Sequence, residues 1–204
     1  MTKELVLYTN PQSRGRIARW MLEEIGQPYR TEILEYGGSI KSPEFLAINP
    51  LGKVPTLVHG DQVITEAAAI CAYLAETFPE AGLAPTDNER GAYYRWLFFT
   101  AGPLEAAVTD KKVFAVEPGP ERQQMVGYGS YDAVMDALAG ALRDSTYITG
   151  ERFTAADVYV GAQVSWGLSF GTFETRPEFE AYAERISERP AFRKATELDE
   201  ALVS

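Results

Sequence analysis

The N-terminal part of the chain alternates between strand and helix patterns in an order that restricts the possible folds. A strand is predicted from Leu5 to Tyr8, and a helix follows whose apolar residues recur at helical spacing up to Ile25. A second strand is predicted over residues 29–34, and Gly60-Asp61 is expected to turn a hairpin before another apolar helix. The order β-α-β followed by β-β-α predicts an α/β domain built on a four-stranded sheet.

The rest of the chain carries helical patterns only. An aromatic helix is predicted over residues 89–115, and Pro103 is expected to kink it because proline lacks an N–H and crowds the preceding turn. Another helix is predicted over residues 121–144, and later helices are expected to begin near Pro177 and Pro190. An all-helical second domain is therefore predicted.

Helix-breaking residues separate the two parts. The predicted limits are residues 1–80 for the α/β domain, 81–86 for a linker and 87–204 for the helical domain. Two capping boxes mark helix starts in the second part, and they pair Thr86 with Glu89 and Thr154 with Asp157. Their expected role is in folding, and replacing Asp157 by Ala is predicted to cost about 1 kcal/mol of stability.

Composition narrows the possible functions. The formal net charge of −10 disfavours nucleic acids and anionic membranes as partners, because phosphate groups require a basic surface. No apolar stretch approaches the ~20 residues that span a bilayer, and the N-terminus lacks the features of a signal peptide, so a cytoplasmic location is predicted. One cysteine and one histidine cannot form a Cys/His cluster, and no metal site is expected.

The run NPLGKVPTL at residues 49–57 predicts a way of holding a small peptide. Pro55 follows Val54 among turn-forming residues, which favours a cis bond in a tight turn. Such a turn would leave the backbone of Val54 facing outward, where an extended peptide could pair with it as an added strand. The helix beginning near Ala67 would offer free N–H groups to a carboxylate. The turn and the helix start together suit a short anionic peptide. Residues 1–60 carry seven Lys/Arg against six Glu, so the net negative charge lies beyond residue 60, where chance scatter of charges is the alternative explanation.

Four segments of the chain follow one another in a characteristic order: YTNPQSRGRIARWMLEE, NPLGKVPTL, TEAAAICAYL and FTAADV. Together they resemble the glutathione transferase family over nearly the whole length of the chain. The resemblance implies a thioredoxin-like N-terminal domain, an all-helical C-terminal domain, a homodimer and glutathione as the ligand. It also implies that the glutathione thiol is activated for attack on a small hydrophobic electrophile, with no further cofactor.

The resemblance implies roles for individual residues in binding glutathione. Val54 would pair its backbone with the cysteinyl part, and Pro55 would be the cis-proline that exposes it. Glu66 would meet the γ-glutamyl amino group. Ala67 stands where the family commonly has a serine, so only the backbone N–H and the helix dipole remain for the γ-glutamyl carboxylate. Lys53 or Lys41 would bind the glycyl carboxylate. The alternative for both lysines is a solvated position on the surface.

Catalysis requires a group that stabilises the thiolate. A free thiol with a pKa of ~8.5 is only about 3% ionised at about pH 7, and lowering that pKa by ~2 units takes about 2.7 kcal/mol. A hydroxyl hydrogen bond together with a helix N-terminus or an arginine could supply this. The donor is expected just after the first strand, with Arg14 and Arg16 as electrostatic helpers, for which a position on the helix surface is the alternative.

Three side chains compete for the role of donor. Alignment from the strand selects Ser13, alignment from the helix selects Asn10, and Tyr8 matches the classes in which an aromatic hydroxyl ends the strand. The alternative for Ser13 is a plain helix N-cap. Cysteine-type catalysis is not expected, because no cysteine lies in this segment and Cys71 falls on the apolar stripe of its helix.

The second substrate is expected to bind beside the kinked aromatic helix. Tyr94, Phe99 and Gly102 are predicted to wall its pocket, and Trp166 to line either that pocket or the interior; core packing is the alternative for all the aromatic residues. Two other functions remain open. One is glutathione-dependent peroxide reduction or isomerisation, and the other is a non-catalytic ligand-binding or partner-binding protein.

Overall fold

The computed structural model describes residues 3–203, which form two compact units. One unit contains the residues up to Ala84 together with those from Glu188 onward, and the other is Pro85–Ser187. Within the described part of the chain, no helix is long and apolar enough to cross a membrane.

The first unit is built on a sheet of four strands: β1 Leu5–Thr9, β2 Arg30–Ile33, β3 Thr56–His59 and β4 Gln62–Thr65. Their order across the sheet is β2-β1-β3-β4, with β1 parallel to β2 and antiparallel to β3, and with β3 antiparallel to β4. The predicted four-stranded sheet is therefore confirmed.

Three helices cover this sheet: α1 Gly15–Ile25, α2 Pro43–Ile48 and α3 Ala67–Thr77. The first ends at Gly26, whose φ of 67° is left-handed and whose N–H binds the carbonyl of Leu22, as a helix C-terminus with glycine favours. α1 packs against α3, and Cys71 of α3 is buried as predicted. Burial raises the pKa of the Cys71 thiol, so this thiol stays protonated.

A fourth helix of this unit comes from the other end of the chain. α9, Pro190–Glu200, packs against α1, where a buried ion pair joins Arg19 Nε to Asp199 Oδ1 at 2.8 Å and the Trp20 and Phe192 rings meet edge to face. The predicted limits assigned residues 87–204 to the helical domain, and the structure differs here because these contacts hold α9 on the α/β unit.

The second unit is helical, as predicted. Its α-helices are α4 Arg90–Phe99, α5 Glu105–Val108, α6 Tyr131–Arg143, α7 Ala155–Ser169 and α8 Pro177–Ser187. Two π-helical turns, Thr100–Leu104 and Thr109–Val113, flank α5, and the first of them contains Pro103. The wider turn accommodates the proline ring, so the irregularity expected there is present without a break in the helical run.

The helix predicted over residues 121–144 is wrong in its first part. Residues 121–129 form turns and irregular backbone, and α6 begins only at Tyr131. Gly129 adopts a φ of 71°, and the Ser130 Oγ accepts the N–H of Ala133 at 3.2 Å as the N-cap. A left-handed glycine followed by a serine cap starts the helix there, and the apolar pattern of the preceding residues does not override them.

Candidate functional site

The register of the sheet brings three separate segments to one edge. Tyr8 of β1 lies opposite Thr56 of β3, and Thr56 lies opposite Thr65 of β4. The end of β1, the start of β3 and the end of β4 therefore share one edge of the sheet. The turn after β1, the loop before β3 and the start of α3 all emerge there, and these segments carry the predicted catalytic and glutathione-binding residues.

The turn after β1 is closed by its own side chains. The Asn10 amide donates to the carbonyl of Leu34 at 2.8 Å, and its oxygen accepts the N–H of Gln12 at 2.9 Å. Ser13 Oγ donates to the carbonyl of Asn10 at 2.6 Å and accepts the N–H of Gly15 at 2.9 Å. Its proton therefore rests on a backbone carbonyl, and its oxygen holds an N–H at the start of α1.

Arg16 reaches back to the same turn. Its Nε donates to the carbonyl of Pro11 at 2.5 Å, and its Nη2 binds Glu200 Oε1 of α9 at 2.6 Å. Both partners lie within the first unit. The predicted role of Arg16 as an electrostatic helper for the thiolate stays a prediction, and its observed contacts are with the turn and with α9.

Tyr8 lies near the end of β1, against the hydrophobic cluster under α2. Its ring contacts Phe45 with the centroids 5.5 Å apart, and it packs on Leu34 and Ile40 of the same cluster. The hydroxyl forms no hydrogen bond with any residue between 3 and 203. The two competing hydroxyls thus differ, because that of Ser13 donates within the turn and that of Tyr8 has no donor or acceptor partner in the described chain.

The loop before β3 is shaped by a buried amide. The Val54–Pro55 bond is cis, as the sequence predicts. Asn49 is only 4% exposed, and its Nδ2 donates to the carbonyl of Lys53 at 2.9 Å and to Thr56 Oγ1 at 3.0 Å. Its Oδ1 accepts the N–H of Leu51 at 3.2 Å. One side chain therefore ties together both ends of the loop.

Val54 directs its side chain and its backbone to different neighbours. The side chain packs against the cluster of Leu34, Ile40 and Phe45. Among the described residues, the backbone N–H and C=O of Val54 have no hydrogen-bond partner. This leaves a short length of unpaired strand edge next to β3, of the kind to which an extended peptide adds.

The two predicted lysines have different surroundings. Lys41 Nζ donates to the carbonyls of Leu51 and Gly52 at 2.9 and 3.1 Å, which places its ammonium group at the loop before β3. An ammonium group has three protons, so one remains for a ligand. Lys53 is exposed, and its side chain has no hydrogen-bond or ion-pair partner in the described chain.

The start of α3 combines a strained backbone with unpaired N–H groups. Glu66 adopts φ 66° and ψ 121°, a conformation that a non-glycine residue takes only when its surroundings impose it. It holds the N-cap position, yet its side chain makes no capping hydrogen bond. Ala67 begins the helix and is buried, and the N–H groups of the first turn lack partners within the helix. A carboxylate acceptor and a positive helix end thus lie side by side.

The residues predicted for the electrophile pocket belong to the second unit. Tyr94 and Phe99 lie on α4, Gly102 in the following π-helical turn and Trp166 on α7. Phe99 packs edge to face on Trp96, with the ring centroids 5.0 Å apart, whereas Tyr94 is 37% exposed. Their role in binding a second substrate stays a prediction.

Two residues of the site were not predicted. Asn49 was part of a recognised motif, and its neighbours Pro50 and Gly52 signalled a turn, but not that its amide would brace the loop. Gly15 is required because a Cβ there would lie 1.8 Å from Thr9 Oγ1. The glycine inside SRGR was the available signal, and only the packing of α1 on β1 shows its reason.

Away from the predicted site, this unit has a further cavity, and ion pairs engage the charged residues Lys3, Glu4 and Arg30 of its lining. A cavity of about 530 Å³ lies at the opposite edge of the sheet, where β1 and β2 begin. Two ion pairs, Lys3–Asp61 and Arg30–Glu4, neutralise its rim. No group of three or more His, Cys, Asp or Glu side chains within residues 3–203 could hold a metal ion.

Two protein-family models match the chain. Residues 7–82 match the model of the glutathione S-transferase N-terminal domain, and residues 104–190 match that of the C-terminal domain. The first match contains the turn after β1, the cis-proline loop and the start of α3.

Individual relatives point to the same family. The chain is 30% identical to glutathione S-transferase GstA of Escherichia coli over 156 residues, which cover 74% of this chain and 76% of the relative. A glutathione transferase structure from Methylococcus capsulatus is 28% identical with a TM-score of 0.78, and the match covers 97% of this chain and 99% of the other. The glutathione transferase URE2P6 of Phanerochaete chrysosporium, solved with oxidised glutathione, is 27% identical with a TM-score of 0.79 and covers 99% and 98% of the two chains.

These matches confirm the resemblance seen in the four sequence segments and the thioredoxin-like and helical parts of the fold. On this basis the chain belongs to the glutathione S-transferase family of enzymes.

Proposed function

We propose that the protein binds glutathione along the sheet edge and activates its thiol for attack on a small hydrophobic electrophile. The observation that carries the proposal is the unpaired backbone of Val54 beside the cis bond to Pro55. The cysteinyl part of glutathione would pair there as a short added strand. Its sulfur would then lie toward the turn after β1, because the sheet register brings that turn to the same edge.

The charges of the site support the same orientation of the ligand. The γ-glutamyl amino group would meet the Glu66 carboxylate, and the adjacent carboxylate would receive N–H groups at the start of α3 from Ala67 onward. The glycyl carboxylate would reach the free ammonium of Lys53 and the remaining proton of Lys41. Each charged end of glutathione thus has an opposite charge or a helix end within one binding edge.

We assign thiolate stabilisation to Ser13. Its hydroxyl lies at the N-terminus of α1, where the helix dipole favours negative charge, and the N–H of Gly15 polarises it. The O–H would rotate from the Asn10 carbonyl to the sulfur and exchange a neutral hydrogen bond for a charge-assisted one. The thiol proton would pass to solvent, the thiolate would form the new carbon–sulfur bond, and the leaving group would depart with its electron pair.

Two features favour a second candidate, a glutathione-binding protein without turnover. The Ser13 hydroxyl already donates its hydrogen bond to the Asn10 carbonyl, and Ala67 has no hydroxyl that could bind the γ-glutamyl carboxylate. The enzyme is favoured because the helix dipole and the N–H of Gly15 both act on the Ser13 hydroxyl.

We further propose that the protein is a cytoplasmic homodimer. Its electrophile pocket is proposed to include Tyr94, Phe99, Gly102 and Trp166.

An ultraviolet titration of the thiolate in bound glutathione tests the proposal. In the wild type the pKa of the thiol should lie ~2 units below its free value. Ser13→Ala should return the pKa toward the free value and lower kcat/KM with chlorodinitrobenzene by about 10- to 100-fold, the range for loss of one hydrogen bond to a charged group. The affinity for glutathione should change little.

Tyr8→Phe is the matched control, because it removes the other hydroxyl that the sequence offers as the donor. It should leave the thiol pKa near the wild-type value. A pKa that rises only in Tyr8→Phe would transfer the role to Tyr8. Tight glutathione binding with an unshifted thiol in the wild type would support the binding protein and refute the transferase mechanism.

A further inference from the structure

We infer that Glu200 is a positioning residue for the thiol-activating turn and acts on it through Arg16; this inference rests on the proposed function. Glu200 is the last residue of α9, and Arg16 lies in the first turn of α1. The carboxylate binds Nη2 of the guanidinium at 2.6 Å, and Nε of the same group donates to the carbonyl of Pro11 at 2.5 Å. One guanidinium therefore links the C-terminal helix to the turn that carries Ser13.

The conformation of this turn depends on two successive carbonyl groups. That of Asn10 accepts from Ser13 Oγ, and that of Pro11 accepts from Arg16 Nε. Release of the Pro11 carbonyl would free the peptide plane between Pro11 and Gln12, next to the backbone that orients Ser13. Small displacements of a catalytic group cost rate steeply, so the hold on this carbonyl matters for thiol activation.

Arg16 needs a second anchor to hold that carbonyl. A long arginine side chain has many rotamers, and a single neutral hydrogen bond offsets little of the entropy lost when one rotamer is fixed. Glu200 supplies a charge-assisted bond to another nitrogen of the same rigid plane, and this selects the rotamer in which Nε faces Pro11.

The pair can be removed without detaching α9. The side chains of Arg16 and Glu200 are 26% and 59% exposed, and exposed pairs of this kind contribute little to stability. Other contacts with α1 are made by α9 and by its N-cap residue and do not involve this pair, namely Arg19–Asp199, Trp20–Phe192, Lys194–Glu23 and Arg189–Glu24. A loss of Glu200 therefore tests the position of the turn separately from the docking of the helix.

The experiment compares Glu200→Ala with Lys194→Ala. Lys194 pairs with Glu23 at the far end of α1, and its loss leaves a carboxylate that is only 7% exposed, so the control perturbs the same helix pair at least as strongly. Amide hydrogen exchange of residues 10–16 is measured without ligand, and the thiol pKa is measured with bound glutathione. Glu200→Ala should speed exchange in the turn and raise the thiol pKa by about 0.5 to 1 unit, a roughly 3- to 10-fold loss of thiolate. Lys194→Ala should change neither quantity.

Two further variants test whether Glu200 acts on the turn through Arg16. Glu200→Gln keeps an oxygen that accepts from Arg16 and should recover most of the exchange protection. In an Arg16→Ala background, Glu200→Ala should have no added effect. Unchanged exchange in Glu200→Ala, or equal changes in both Glu200→Ala and Lys194→Ala, would overturn the inference. The exchange experiment uses no glutathione, so its result does not depend on the proposed function. An unshifted pKa of the bound thiol in the wild type would refute the proposed function, and the effect of Glu200→Ala on exchange in the turn would still test the role of Glu200.

Discussion

A single buried amide shapes the loop that is proposed to bind glutathione. Asn49 has no surface for a ligand, yet its three hydrogen bonds fix the segment that carries Lys53 and Val54. Loss of these bonds would leave the Leu51 N–H without its partner and the Lys53 carbonyl with only the Thr56 hydroxyl as donor, and it would let the binding edge move. The residues proposed to contact glutathione thus depend on a buried residue for which no such contact is proposed.

Asn49→Ala should therefore weaken glutathione binding about tenfold and lower the free energy of unfolding by about 1–3 kcal/mol, because buried polar groups lose their partner. The thiol pKa of the glutathione that still binds should stay near the wild-type value, since the turn after β1 is intact. Calorimetric titration and urea unfolding measure the two effects. Asn88→Ala makes the same change at an exposed position and should alter neither; equal losses in both variants would contradict the assignment.

The start of α7 is anchored by more than a capping box. The capping box of Thr154 and Asp157 is formed as predicted, and the same carboxylate also accepts the N–H of Ile148 at 2.7 Å and the hydroxyl of Tyr182 at 2.8 Å. Asp157 is fully buried. The cap therefore joins α7 to α8 and to the preceding loop, and it carries more than the single helix end expected from the sequence.

Asp157→Asn should cost about 2–4 kcal/mol of stability, more than the ~1 kcal/mol of an ordinary cap, because the amide nitrogen cannot accept the donors that the carboxylate oxygen accepts. Urea unfolding provides the measurement. Ser130→Ala removes the simple cap of α6 and serves as the reference, with an expected loss of about 1 kcal/mol. An Asp157→Asn loss no larger than that of Ser130→Ala would show that the additional contacts contribute nothing.

The other predicted capping box is only half formed. Glu89 accepts the N–H of Thr86 at 2.8 Å, and the structure records no return bond from the Glu89 N–H to the threonine side chain. The Glu89 N–H donates instead to the carbonyl of Thr86 at 3.1 Å. Both oxygens of the Glu89 carboxylate also bind the guanidinium of Arg152, at 3.2 and 2.5 Å, and local spacing could not reveal this partner distant in sequence.

The stability of the whole molecule in acid depends in part on this pair. The Arg152 guanidinium lowers the pKa of Glu89 to about 2 from an ordinary value of 4.5. A carboxylate whose folded pKa is depressed stabilises the fold above its unfolded pKa, and that contribution is lost as the pH falls toward the folded pKa. The relevant window therefore lies between about pH 4.5 and about pH 2. Arg152 is 36% exposed, and solvent screening limits the contribution to about 1 kcal/mol.

Glu89→Gln should reduce the loss of stability between about pH 5 and about pH 2 by about 1 kcal/mol relative to the wild type. At neutral pH the variant should be less stable by a similar amount, because the ion pair is absent. Urea midpoints across this range provide the comparison. Asp87→Asn changes an exposed carboxylate two residues away and should keep the wild-type pH dependence. An identical acid profile in Glu89→Gln would contradict the role of the pair.

The sequence by itself determined the features that depend on neighbours along the chain. Local spacing and backbone chemistry predict four features that the structure contains. These are the strands, the end of α1 at Gly26, the cis bond before Pro55 and the capping box of Thr154 and Asp157. The extended start of the helix predicted over residues 121–144 failed because an apolar pattern is weaker evidence than the turn at Gly129 and the cap at Ser130.

The tertiary structure alone decided which distant groups meet. Sheet register placed the turn after β1 beside Val54 and Glu66, and the docking of α9 brought Glu200 to Arg16 across the first unit. The folded chain also places the Ser13 hydroxyl where it donates a hydrogen bond to the Asn10 carbonyl, and it leaves the Tyr8 hydroxyl without a hydrogen-bond partner in the described chain. Hydrogen bonds and ion pairs act over a few ångströms in space, whatever the separation in sequence, so only the folded chain determines their partners.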